Sequence, residues 1–315
     1  MTSDDLIASV KRRASIPSAQ SMITDNEILE YANEEMLLNF IPLVLSQHED
    51  YYLIREEIPL EANVIRYSIP YRAIGTKLRE VAHKDTNGNL RAMYRRSIDE
   101  ITDNFEARGG ATYPDNFYIE GEEIVLDSSE THNMTGSLTV FYSLRPNSLV
   151  DVDRVGKITS IDTVTGIIVF DTFPENIAAL SEIDFIKTKS PHRVLAFDKS
   201  VVAVNVGLKY IEVAPADIPT GLVVGDRIGL AGETDILNAP SDLHVMLAQM
   251  TAARVLESIG DSEGLQVADK KLAKMEKNAS GLLMNRVTGS PVKAKARNGT
   301  IRRGNYRKGF NSTSN

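Results

Sequence analysis

The residues best able to do chemistry are five histidines, at positions 48, 83, 132, 192 and 244. No two lie three or four residues apart, so no helix face presents paired imidazoles to a metal, and the H-E-x-x-H pattern is absent. His244, on a predicted helix face, reads as a packed or surface histidine rather than a ligand. The chain has no cysteine, which excludes disulfides, thiol catalysis and thiolate zinc sites. The G-x-x-x-x-G-K-[ST] phosphate loop is missing as well. Gly225-Asp226-Arg227-Ile228-Gly229 has the glycines of a phosphate loop but leads into a strand instead of opening a helix. Gly109-Gly110 reads as a turn. Carboxylates crowd at Glu120, Glu122, Glu123 and Asp127, in what reads as a solvated hairpin rather than an acid–base pair. No nucleophile elbow marks a Ser-His-Asp set. The chain is therefore expected to be non-enzymatic and to use no cofactor or metal.

One segment is built for binding. From Pro291 to Asn315 the chain carries Lys293, Lys295, Arg297, Arg302, Arg303, Arg307 and Lys308 and no acid. Taking these seven charges from the net −8 leaves −15 on residues 1–290. Gly299, Gly304 and Gly309 punctuate the segment, and large apolar residues are few. Such a tail cannot bury enough surface to fold alone and is expected to order on a partner. Tyr306 and Phe310 favour docking on a protein, because aromatic anchors carry interface energy. Stacking on nucleic acid would use the same rings, and a solvated end without a role is the third reading. The acidic body is the reverse of a DNA grip, since phosphate binding needs Lys and Arg.

The elements that must carry these residues read as helices, then strands, then helices. With 315 residues, 42% apolar, the chain is long enough for roughly two domains and a sizeable core. Its beginning, MTSDDLIASV, lacks the basic and apolar regions of a signal peptide. No run reaches the roughly 18 apolar residues of a membrane span. A soluble chain is expected. Leu6, Ile7, Val10 and Ala14 predict a helix over 3–14, with Ser3 as its cap and Pro17 ending it. Thr24 and Glu27 form a capping box for a second helix along Ile28, Leu29, Ala32, Met36 and Phe40, which Pro42 should kink or break.

From Tyr51 the apolar period changes to two. Tyr52–Ile54, Val64–Tyr67, Lys77–Val81 and Leu138–Leu144 predict strands. Asn87-Gly88 predicts a hairpin from 79–83 to 90–95, and Glu120-Gly121 a second hairpin. Residues 158–189 lie over 200–231 without gaps at a period of 42, with Val164 on Val206, Val169 on Ile211, Leu180 on Leu222, Asp184 on Asp226 and Ile186 on Ile228. Two such halves predict a small barrel or a sandwich. Helix returns at Pro240, with Ser241 as cap, and runs to Ile259 before Gly260. Leu265, Ala268, Leu272, Met275, Ala279 and Leu282 then make a heptad seam, with Lys270, Lys271, Lys274 and Lys277 on the other side.

The expected fold is α+β: a helical bundle built from the N- and C-terminal helices, a large inserted antiparallel β region (small barrel or sandwich), and an extended C-terminal tail. Its parts are N-terminal helices over 1–50, β-rich segments over 51–150, a barrel-like tandem repeat over 151–237, C-terminal helices over 238–289 and the basic tail over 290–315.

Several segments carry a resemblance. They are Asp5-Leu6-Ile7 with Lys11–Pro17, Tyr67–Gly75, Pro114–Ile119, Leu144–Val150, Pro240–His244 and Ala253–Asp261. Their order resembles the head-to-tail adaptor proteins of short-tailed bacteriophages, including crAss-like phages. That resemblance implies a bundle forming a ring of twelve copies beneath the portal protein, with C-terminal segments that enter the portal and order there. It implies portal binding by Lys293, Lys295, Arg297, Arg302, Arg303, Tyr306, Arg307, Lys308 and Phe310. Further partners would be tail or second-ring proteins and double-stranded DNA passing through the channel, with no membrane. The place implied is the virion neck, after assembly in the host cytoplasm. The long β insertion departs from known adaptors, which are smaller and mainly helical. A β-rich tail or fibre-anchoring module of the virion is the alternative expectation.

Overall fold

The computed structural model describes residues 1–16, 23–97, 116–126, 135–190 and 192–283. Residues Met1–Met284 form one compact α+β unit with three hydrophobic cores.

The first core is helical. α1 (Ser3–Arg13) turns Leu6, Ile7 and Val10 inward. Its cap is Thr2, one residue before the expected Ser3, with Asp5 completing a capping box. Ser3 is instead the first helical residue, and its hydroxyl is buried against the carbonyl of Val150 at 2.6 Å. α2 (Asp25–Glu35) starts at the expected Thr24–Glu27 box. Pro42 does not break the helix. A π turn, Met36–Phe40, precedes it, and α3 (Ile41–Gln47) carries Pro42 in its own first turn. Widening the helix before the proline accommodates the carbonyl that lacks an amide partner. α4 (His244–Ile259) is buried along most of its length. Ser241 does not cap it, since Ser241–Leu243 form a 3-10 turn leading in. Gly260, at φ +81, ends it, and α5 (Ser262–Leu283) follows. Residues of all five helices share this core.

The second core lies between two four-stranded sheets. One has the order β1 (Leu53–Pro59), β8 (Ser137–Leu144), β3 (Ala73–Lys84), β4 (Leu90–Ala92), all antiparallel. The other has the order β2 (Arg66–Ser68), β7 (Glu123–Leu126), β6 (Asn116–Glu120), β5 (Tyr94–Arg95). Leu138, Val140, Tyr142 and Leu144 alternate onto the core, as a period of two requires. The expected strand over 90–95 is split at the buried Met93, so that β4 and β5 join different sheets. The Asn87-Gly88 hairpin joins β3 to β4 as read, with Lys84 paired to Leu90 across residues 85–89. Asp85 caps a loop by accepting from the amides of Asn87 and Asn89, and within this loop only Gly88 has a positive φ. The Glu120-Gly121 hairpin forms as read, joining β6 to β7.

The third core is a closed six-stranded barrel in the ring order β10 (Gly156–Asp162), β11 (Ile167–Phe170), β14 (Tyr210–Val213), β13 (Arg193–Asn205), β12 (Glu182–Lys187), β15 (Arg227–Leu230). Exchanging β10 with β13, β11 with β14 and β12 with β15 leaves this order unchanged, so the barrel has a pseudo-two-fold axis. The period is not 42. The bulge between Ile158 and Ser160 recurs between Val201 and Ala203, 43 residues on. At that shift Ile158 falls on Val201, Ile168 on Ile211 and Phe170 on Val213, all barrel-core residues. The third strands follow a shift of 45, because Gly156 pairs with Ile228 as residue 199 pairs with 183. A one-residue slip swaps inward and outward faces, which is why the gapless overlay at 42 misaligned the core. Each third strand lies between two strands of the other half, so neither half can close by itself.

Gly166 sits where the β10–β11 turn touches β14. At φ +79, a Cβ there would collide with the carbonyl oxygen of Val213. Gly166→Ala is expected to cost at least about 2 kcal/mol in urea unfolding. Gly207→Ala, in an open turn at ordinary φ, should stay within about 0.5 kcal/mol of wild type.

Candidate functional site

The barrel is inserted between two short strands, β9 (Ser148–Leu149) and β16 (Glu233–Thr234), which pair in parallel. Around this neck the chain buries charge. Asp184 of β12 is fully enclosed, and its Oδ2 accepts from Arg72 Nη2 at 2.5 Å, Asn147 Nδ2 at 2.6 Å and the Gly232 amide at 2.9 Å. Its Oδ1 accepts from the amide of Asp198 at 3.0 Å. Arg72, 6% exposed, also donates to Asn147 Oδ1 at 3.0 Å and lies 5.8 Å from the centre of the Phe197 ring. A buried carboxylate is tolerated only when paired and hydrogen-bonded, and Asp184 is both. Gly232 delivers its amide from φ +82, where a Cβ would be strained and would stand 3.2 Å from Arg72 Nη1.

The same neck holds the helices. Asn33 of α2 exchanges hydrogen bonds with the backbone of Leu149, at 2.7 and 2.9 Å. Ser3 of α1 donates its amide to the carbonyl of Asp235 at 2.7 Å. The Asp235 carboxylate is fully enclosed 2.9 Å from Arg227, and burial outweighs that cation to raise its pKa to about 6. Arg154 pairs with Glu233 beside them.

Next to the neck is a cleft of about 580 Å³ lined by Tyr51, Tyr52, Ile54, Arg193, Leu195 and Asn238, among others. His192 lines it too, and its ring stacks on His244 of α4 with centroids 5.3 Å apart. His244 is buried, donating Nε2 to the carbonyl of Ala239 at 3.0 Å while Nδ1 accepts from the Met1 amino group at 3.3 Å. Burial holds its pKa down at about 4. These two imidazoles are thus occupied in packing and hydrogen bonding. His48 packs edge-on against Tyr51, and His83 contacts the carbonyl of Thr135. Among the described residues no cluster of three or more His, Asp or Glu is placed to hold a metal.

The structure brings together little of what the sequence singled out. Glu120 and Glu123 pair across the hairpin with Arg66, at 2.8 and 2.9 Å, in solvent. Asp226 accepts from the amides of Thr188 and Val223 and so closes a turn ahead of β15. His132, Asp127, Gly109-Gly110 and the tail residues Lys293, Lys295, Arg297, Arg302, Arg303, Tyr306, Arg307, Lys308 and Phe310 lie outside the described residues. Sequence reasoning missed the Arg72–Asn147–Asp184 knot. The available signal was two polar residues, Arg72 after Pro70-Tyr71 and Asn147 after Arg145-Pro146, but nothing in the spacing joins them to each other or to Asp184.

Removing one partner of a buried pair strands the other charge. Arg72→Ala should therefore lower unfolding free energy by about 3–5 kcal/mol, whereas Arg66→Ala, at an exposed pair, should leave the denaturant midpoint essentially unchanged. His244 adds a pH dependence. Its folded pKa lies below that of an unfolded histidine, so its own contribution to stability is complete above about pH 6.5 and falls as pH drops towards 4. Asp235, raised to about 6, contributes in the opposite sense over the same range. Urea unfolding of wild type and His244→Gln across that range isolates the histidine's contribution: the variant should gain stability relative to wild type as pH falls from about 6.5 towards 4. The chain matches no family model and no curated protein.

Proposed function

We propose that this protein is a non-enzymatic structural subunit of a tailed-phage virion: a head-to-tail adaptor whose copies form a ring joining the portal to the tail. In this reading the N- and C-terminal helices are the bundle of the ring subunit, the β region is an insertion, and the basic tail seats in the portal. The observation that carries it is that helices from both chain ends share one core, while the intervening strands build two separate cores. Two of the resembling segments, 67–75 and 144–150, supply Arg72 and Asn147 to the neck, and a third, 240–244, supplies His244 beside it. Residues 1–290 carry −15, and a negative channel wall lets DNA slide without sticking.

A second reading, a tail- or fibre-anchoring module, is favoured by the barrel. Its β13–β14 turn carries Val206 and Leu208 two residues apart, each more than half exposed, and exposed apolar side chains set together on a surface mark interaction sites.

Light scattering of the protein mixed with purified portal separates the two. Deleting residues 291–315 should abolish association, and raising salt should weaken it in the intact chain. Val206→Asp with Leu208→Asp should leave portal binding intact. Portal binding that survives the deletion, with tail-protein binding lost in the barrel variant, would favour the second reading instead.

A further inference from the structure

Two helix faces carry opposite charge and no partner. On α2 the buried residues are Ile28, Leu29 and Ala32. Counting about 100° per residue, Glu27, Glu30 and Glu34 fall within about 60° of one another on the opposite, exposed side. Beyond them stand Leu37 and Leu38, 45% and 73% exposed. On α5 the buried positions are Ala268 and Ala279. Lys270, Lys274 and Lys277 again fall within about 60°, directly opposite, with Lys271 and the half-exposed Val267 alongside.

Neither stripe is neutralised at home. Among the described residues the lysine ion pairs are those of Lys11, Lys84 and Lys199. Glu34 has only Arg254, at 3.9 Å, and Glu27 is turned to its own cap. Both helices pack on α4 and leave these faces outward.

We infer that the acidic face of α2 in one copy docks on the lysine face of α5 in the next. The two patches differ, so the contact is head-to-tail, the kind that generates rings or open chains rather than a closed two-fold dimer. A body of net charge −15 repels its own copies; local complementary charge is what overcomes that and sets register. The inference rests on the ring reading above and names the surface by which the ring closes.

Sedimentation of the full chain at low salt tests it. Wild type should associate with concentration, and less so as salt rises. Glu30→Lys with Glu34→Lys should weaken association more than about tenfold, and so should Lys270→Glu with Lys274→Glu. Each variant should keep the wild-type circular dichroism and melting curve. Mixing the two variants should restore association, because every α2 face then meets an α5 face of opposite sign. Wild type that stays monomeric throughout would overturn the inference, as would variants that associate like wild type or a mixture that remains monomeric. So would a lysine variant that keeps association but loses binding to duplex DNA. Variants associating normally, in a protein whose portal binding still needs residues 291–315, would sink this interface and leave the adaptor reading standing.

Discussion

Burying the Asp184 carboxylate imposes one demand on the whole molecule: its oxygens must be answered by donors from elsewhere in the chain. The answers come from Arg72 at the start of β3, Asn147 between β8 and β9, Gly232 beyond the barrel and Asp198 within it. Such a pair adds little net stability against an apolar alternative, since desolvation opposes its Coulomb attraction. What it supplies is geometry. A charge that is satisfied in only one arrangement fixes how the barrel meets the sandwich, and the hydrogen bonds of Asn33 and Ser3 to the same neck carry that arrangement to the helices.

The barrel obeys a related constraint. Its halves are interleaved, with each third strand completing the other half's sheet. Interleaving makes closure all-or-none and places its contacts far apart in sequence, which raises the loop-closure cost of folding. Once closed, the barrel has no open sheet edge along the ring and is tied at both ends by β9 and β16. A rigid insertion mounted on a polar neck suits a part that transmits position between larger bodies, which is how the proposed connector role would use it.

Chemistry and architecture divide cleanly here. Among the described residues His244 and His83 bond to backbone carbonyls, His192 stacks on His244 and His48 packs on Tyr51. Glu120 and Glu123 of the β6–β7 hairpin pair with Arg66 in solvent. The described surface also carries the charged faces of α2 and α5 and exposed apolar side chains such as Val206 and Leu208.

Local structure was legible in the amino-acid order. The Thr24–Glu27 box, the Glu120-Gly121 hairpin, the αL stop at Gly260, the change of apolar period at residue 51 and the doubled strand pattern all rest on relations within a few residues, or on a repeating face. Where several local solutions compete, the order alone was insufficient. Pro42 could break a helix or be preceded by a π turn, and a repeat at 42 differs from one at 43 only in which face turns inward. Packing against neighbouring cores settled each of these. The neck was decided by tertiary structure alone: Arg72 lies 112 residues from Asp184 and 75 from Asn147. A buried ion pair leaves no periodic trace in sequence, because its requirement is proximity in space and its members owe nothing to the helices and strands that carry them.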